Sequence, residues 1–251
     1  MRNLKLVLAY DGTDFCGWQV QPEDPSIQRT LASAIRRITG ENVLPHGSGR
    51  TDAGVHALGQ VASFQTESVI PAENLVIALN DLLPAWIRIV NADEVGPDFH
   101  ARKSAKAKTY RYRIYRQAIC PPFLARYVWH YPYPLDIEAM KEAAPMIEGE
   151  HDFTSFAAAD PERNSPEGPQ TDNVRTIFSS HWEHDGTEFT YEVRGNGFLH
   201  HMVRNLVGTF ILVGKGTLNP ADVTRILEAK NRSAAGATAP ACGLYLVNVE
   251  Y

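Results

Sequence analysis

Two neighbouring stretches, LKLVLAY at Leu4–Tyr10 and SIQRTLASAIRRIT at Ser26–Thr39, decide the fold class. In the first, Leu4, Leu6, Leu8 and Tyr10 fall on one side, the period-two pattern of a strand with a buried face. In the second, Ile27, Leu31, Ile35 and Ile38 recur at helical spacing. Ser26, after Pro25, supplies an N-terminal cap, and Gly40 supplies the stop. Working outward, a short strand is expected at Asn42–Leu44. After a glycine-rich loop come a strand over Gln60–Gln65, a helix over Pro71–Leu83 with proline in its first turn, and a strand over Trp86–Ala92. The order βαββαβ is that of a split βαβ sandwich, with helices on one face of an antiparallel sheet.

The second half repeats this order more loosely. Strands are expected over Lys108–Arg116, Tyr127–His130, Val174–His184, Phe189–Arg194 and Leu244–Glu250, and helices over Asp136–Ile147 and Phe198–Val213. The repetition is architectural, not literal, and sets a boundary near Ser104, giving halves 1–104 and 105–251. Two segments interrupt the pattern: the polar, proline-bearing Ala157–Asn173, and Asn231–Gly243, rich in alanine, glycine and serine. Loops of that length inside a compact fold are usually mobile or functional.

With 251 residues, 44% hydrophobic and 21% charged, the chain is neither disordered nor fibrous. Its three cysteines, Cys16, Cys120 and Cys242, are odd in number and far apart, which excludes a disulfide framework and a cysteine zinc site. Asp11 and Asp14 interrupt the apolar opening before a signal-peptide core can form, and the run Leu206–Val213 is too short to span a bilayer. A cytoplasmic location without membrane attachment is expected.

The net charge is −5, yet the charge is unevenly spread. Of the 24 basic residues, seven lie between Arg102 and Arg116 with no acidic residue among them, so the remainder carries 17 basic against 29 acidic residues, or −12. Because fields act within about 10 Å at ordinary salt, a concentrated basic stretch lets an acidic protein hold a nucleic-acid surface.

Three stretches could carry chemistry. GSGRTDAGVHALGQ (Gly47–Gln60) sets Arg50 and Asp52 among glycines, at a spacing that fits neither a dinucleotide fingerprint nor a P-loop. Asp52 reads either as a turn cap or as a salt-bridged reactive carboxylate, and the residues alone leave both open. In TYRYRIYR (Thr109–Arg116), Tyr110, Tyr112 and Ile114 share one strand face, Arg111 and Arg113 the other. That pattern suits base stacking with phosphate contact; a buried tyrosine face with solvated arginines is the plainer alternative. In GNGFLHHMVRNLVG (Gly195–Gly208), adjacent His200 and His201 would point about 100° apart on a helix, so no shared metal is expected. Arg204, inside an apolar stripe, requires a carboxylate partner, with Asp52 a candidate.

Taken in order, YDGTDFCGWQ (10–19), GRTDAGVHALGQV (49–61), FHAR (99–102), KTYRYRI (108–114), HDFTSF (151–156), HHMVRNLVG (200–208) and GLYLVNVEY (243–251) resemble the bacterial tRNA pseudouridine synthase A family. The resemblance runs from Tyr10 to Tyr251. It implies an α+β fold of two RRM-like halves forming one extended, mostly antiparallel sheet, and a cofactor-free, metal-free isomerase of uridines 38 to 40 in the tRNA anticodon stem-loop, working as a homodimer. By motif position it implies Asp52 as the catalytic aspartate, Tyr110 as the aromatic packed on the target base and Arg204 as the partner of the aspartate. Leu244 becomes part of an apolar pocket, and Arg50 a residue that extrudes the base. Arg102, Arg111 and Arg113 join the RNA-binding set through the basic stretch. Two other classes compete: a non-catalytic RNA-binding protein, which has no need of a buried charge pair, and a carboxylate-dependent glycosidase or nucleosidase using Asp52 with Asp11 or Asp14, which leaves the tyrosine–arginine strand without a role.

Overall fold

The computed structural model describes residues 1–22, 24–159 and 172–251, so the expected loop Ala157–Asn173 lies largely outside the described residues. The chain begins with β1 (Arg2–Tyr10), α1 (Ile27–Thr39), β2 (His46–Gly47), β3 (His56–Thr66), α2 (Ala72–Leu82) and β4 (Ile87–Val95), in the expected order βαββαβ. Leu4, Leu6 and Leu8 of β1 are fully buried, as are Ile27, Leu31 and Ile35 of α1. Ser26 caps α1 by accepting from the Arg29 N–H, and Gly40 ends it in the left-handed region, at φ 77°. Only β2 moves from its expected place at Asn42–Leu44. Pro45 has no N–H to give a ladder, and pairing starts just beyond it, with His46 opposite Ser63.

The chain continues through β5 (Ala107–Tyr115), β6 (Trp129–His130), α3 (Ile137–Ala143), β7 (Gly149–Asp152), β8 (Val174–Asp185), β9 (Glu188–Gly195), α4 (Met202–Gly214), α5 (Asp222–Ala229) and β10 (Leu244–Glu250). The mixed α+β class is the expected one. The helix expected to reach Ile147 tightens after Ala143 into a 3-10 turn, where Pro145 removes a helical hydrogen bond. The helix expected from Phe198 starts only at Met202. His201 before it takes φ 57°, so His200 and His201 lie in a turn, ring centroids 4.0 Å apart and planes tilted by 37°, instead of projecting from a helix. Strand β7 and helix α5 are additions to the expected order.

Residues 1–108 with 245–251 form one unit, and residues 109–244 a second. In the first unit the strand order is β4-β1-β3-β10, with β2 also on β3. β1 runs antiparallel to β3 and β4, whereas β10 joins β3 in parallel, with Tyr245 opposite His56. In the second the order is β5-β9-β8-β7, with β6 parallel to β5. Among the described residues no helix is long and apolar enough to cross a membrane.

The segment 231–243 is tied down along α4. Asn205 is fully buried; its Oδ1 accepts from Arg232 (2.9 Å) and Thr238 (2.7 Å), while its amide donates to the Phe156 carbonyl (2.7 Å). The Gly236 N–H donates to Thr209 Oγ1 at 2.9 Å. Gly208 allows the approach, because a β-carbon there would sit 1.7 Å from the Ala237 carbonyl oxygen. Gly208→Ala should therefore destabilise the protein by about 1–3 kcal/mol through overpacking. Urea unfolding with an unchanged midpoint would show that the segment is not packed there.

Candidate active site

The loop between β2 and β3 carries Arg50 and Asp52 on either side of Thr51, and the three differ in exposure. Thr51 is buried, Arg50 exposed and Asp52 half-buried. The difference follows from what Thr51 does. Its hydroxyl shares a 2.8 Å hydrogen bond with the phenol of Tyr10, and its carbonyl accepts the N–H of Trp18 at 3.0 Å. The loop is thereby held at both main chain and side chain by the segment Tyr10–Gln19. Gly17, at φ 100°, is what lets that segment come close: a β-carbon on it would lie 2.4 Å from the Thr51 carbonyl oxygen.

A fully buried Gln60 completes the support. Its amide donates to the Gly49 carbonyl (3.0 Å) and to the Tyr10 hydroxyl (3.4 Å), while its carbonyl oxygen accepts from Ser48 Oγ (2.6 Å) and the Val61 N–H (3.1 Å). All of its hydrogen-bonding capacity is used inside the unit. Burial pushes the Tyr10 phenol up to about 12, with the hydrogen bonds to Thr51 and Gln60 acting in the opposite direction. Asp11 has a different task from Asp52. Its Oδ1 accepts from the N–H and the hydroxyl of Thr13 at 2.9 and 2.5 Å, the signature of a carboxylate closing its own turn.

Arg102 is exposed on the turn that follows β4. In the second unit Tyr112 and Ile114 of β5 are fully buried, while Tyr110 keeps 7% exposure and meets Phe198 edge-on at 5.0 Å. The arginines of the opposite face are matched by β9. Arg111 donates to Glu192 through Nε (3.2 Å) and Nη2 (2.9 Å), and Arg113 grips both oxygens of Glu188 at 2.8 and 2.7 Å. Glu188 and Glu192 share one face of β9; counting charge along the chain hides them, because they lie some 75 residues away in sequence. Arg204 lies in the first turn of α4, where its Nε donates to the Ala239 carbonyl (2.7 Å) and its own carbonyl accepts the Ala239 N–H (3.1 Å). Leu244 begins β10 and is buried. The loop thus contributes Arg50 and Asp52 from one rigid turn, while Tyr110, Arg111, Arg113 and Arg204 belong to the other unit.

Residues 6–102 and 143–251 match the tRNA pseudouridine synthase family. Curated relatives described as tRNA pseudouridine synthase A include those of Solibacter usitatus, 53% identical, Caldicellulosiruptor saccharolyticus, 46%, and Brevibacillus brevis, 47%. Each match covers the whole of both chains.

The Tyr10 phenol generates a pH signature. Its folded value lies above the ordinary 10, so the stability it contributes is complete below pH 10 and is lost as pH rises through about 12. Replacing Tyr10 with Phe should flatten the loss of stability between those pH values, read from urea unfolding at stepped pH. An identical slope in both proteins would show that the phenol is not buried in neutral form.

Proposed function

The chain belongs to the tRNA pseudouridine synthase family, and from that premise we propose that it isomerises uridine to pseudouridine at positions 38 to 40 of the tRNA anticodon stem-loop, with Asp52 as its catalytic carboxylate. The observation that carries the assignment of Asp52 is the anchored Thr51: a fixed residue flanked by a half-buried carboxylate and an exposed guanidinium sets the backbone of both at a defined place.

The reaction explains why these groups suffice. The bond between uracil N1 and ribose C1′ breaks, the detached uracil turns in place, and C5 bonds to C1′. The C5 proton leaves to solvent and N1 gains one. Substrate and product are isomers, so no electrons are exchanged and no cofactor is called for. A carboxylate that adds covalently to the base or to C1′ divides the change into two easier steps. In this reading Arg50 extrudes the target nucleotide, Tyr110 packs on its base, Leu244 adds apolar wall around the uracil, and Arg204 is required for turnover beyond its clasp on Ala239. Arg102, Arg111 and Arg113 face the RNA backbone. The enzyme acts in the cytoplasm as a homodimer.

Tritium release from tRNA labelled at uracil C5 tests the reading. Wild-type protein should release label in step with product, and Asp52→Asn should release none above background while retaining tRNA affinity within about threefold, since phosphate contacts dominate binding. Turnover of the Asn variant near the wild-type rate would remove Asp52 from the chemistry.

Exchanging Arg50 and Arg102 for Ala should each lower the slope of log affinity against log salt by about 0.7 to 0.9. Loss of Arg111 should lower it less, because Glu192 already satisfies two of its donors. Equal slopes for all three variants would contradict this ranking.

A further inference from the structure

Away from the Asp52 loop, the first unit contains a cavity of about 510 Å³ between β2, β3 and the turn that follows β4. Its lining includes His46, Phe64, Asp98, Phe99, His100 and Lys103. The two histidine rings stack, with centroids 4.9 Å apart and planes 25° from parallel. His46 is exposed, so the pair presents an aromatic face to solvent.

The orientation of His100 is built in. Its Nδ1 accepts the N–H of Arg102 at 3.1 Å and of Lys103 at 3.4 Å, which leaves Nε2 as the nitrogen that carries the proton. The turn beneath it is fixed on three sides. Asn3 donates to the Gly96 and Phe99 carbonyls at 3.0 and 2.8 Å, Ser63 Oγ accepts the Ala101 N–H at 3.0 Å, and the Tyr251 hydroxyl donates to the Ala101 carbonyl at 2.9 Å. Burial first, and then the charges of His46, Lys103 and Arg102, lower the proton affinity of His100. The cation in the lining is Lys103, beside Asp98 as its carboxylate, and an incoming anion can meet that lysine and the His100 N–H together.

A flat aromatic face beside an oriented N–H and a lysine fits a ligand that has both a ring and a negative charge. We propose that this cavity is a nucleotide subsite, which takes one unpaired nucleotide of the bound RNA with its phosphate against Lys103 and His100 Nε2 and its base on the outer face of His46. The proposal rests on the reading of the chain as a tRNA-modifying enzyme, and it gives the FHAR motif a second role besides closing its own turn.

The test measures tRNA affinity over a salt series for the full chain and for Lys103→Gln, His46→Ala and His46→Phe, with thermal unfolding of each variant and tritium release by the wild type measured in parallel. Lys103→Gln should lower the slope of log affinity against log salt by about 0.7 to 0.9, the loss of one phosphate contact. His46→Ala should weaken binding about tenfold, at the lower end of a base–aromatic stack, and His46→Phe should restore it. Unchanged affinity in His46→Ala, or failure of Phe to restore a loss, overturns the nucleotide subsite even if Lys103→Gln matters, because a phosphate contact alone is not the proposal. Absence of tritium release from wild type would instead overturn the functional reading, while the affinity series still judges the subsite.

Discussion

The fixed contact between Tyr10 and Thr51 is the constraint on which the rest of the candidate site depends. Two polar side chains meet in the interior, where an unmatched hydroxyl would cost about 1–3 kcal/mol. The cost is avoided because Gln60 spends every donor and acceptor within the same cluster and Ser48 closes the other end. Such a network is stable only when complete, so it specifies one arrangement of the loop. With Thr51 held inward, its neighbours Arg50 and Asp52 are the more exposed residues of the loop. The glycine at position 17 has the same logic, since it is the absence of a side chain there that lets the two segments touch.

The second unit uses the same kind of device for a different end. Asn205 and Thr209 bind the segment 231–243 along α4, and Gly208 gives it room. The segment therefore reaches Pro240 in a set position, where its carbonyl accepts the Tyr112 hydroxyl at 2.7 Å. Arg204 reinforces the same strap through Ala239. Much of the HHMVRNLVG run is thus explained by packing, and the arginine–glutamate pairs between β5 and β9 temper the basic stretch before any RNA arrives.

The sequence was legible wherever one periodicity ruled. The alternation Leu4–Tyr10 and the capped helix from Ser26 were read nearly to the residue, because burial on one face and a cap at one end act locally. Reading failed where a distant partner or one backbone angle decided. Strand β2 depends on its partner in β3, the start of α4 on the left-handed His201, and the state of Arg111 and Arg113 on two glutamates in another strand. At the candidate site, Asp52 stood out through its glycine-flanked motif. Thr51, Tyr10 and Gln60, which support it, did not, because nothing in their spacing shows that three polar residues so far apart meet in the interior.

The Tyr10–Thr51 contact, by fixing the loop, is expected to set Asp52 in place for chemistry. Thr51→Val keeps the shape of the side chain and deletes its hydroxyl. The direct measurement is the single-turnover rate of pseudouridine formation by this variant at saturating tRNA, alongside tRNA affinity. The predicted result is a fall of at least about tenfold in rate with affinity retained, since a misplacement near 1 Å can cost up to about a hundredfold. A single-turnover rate equal to that of wild type would contradict the claim.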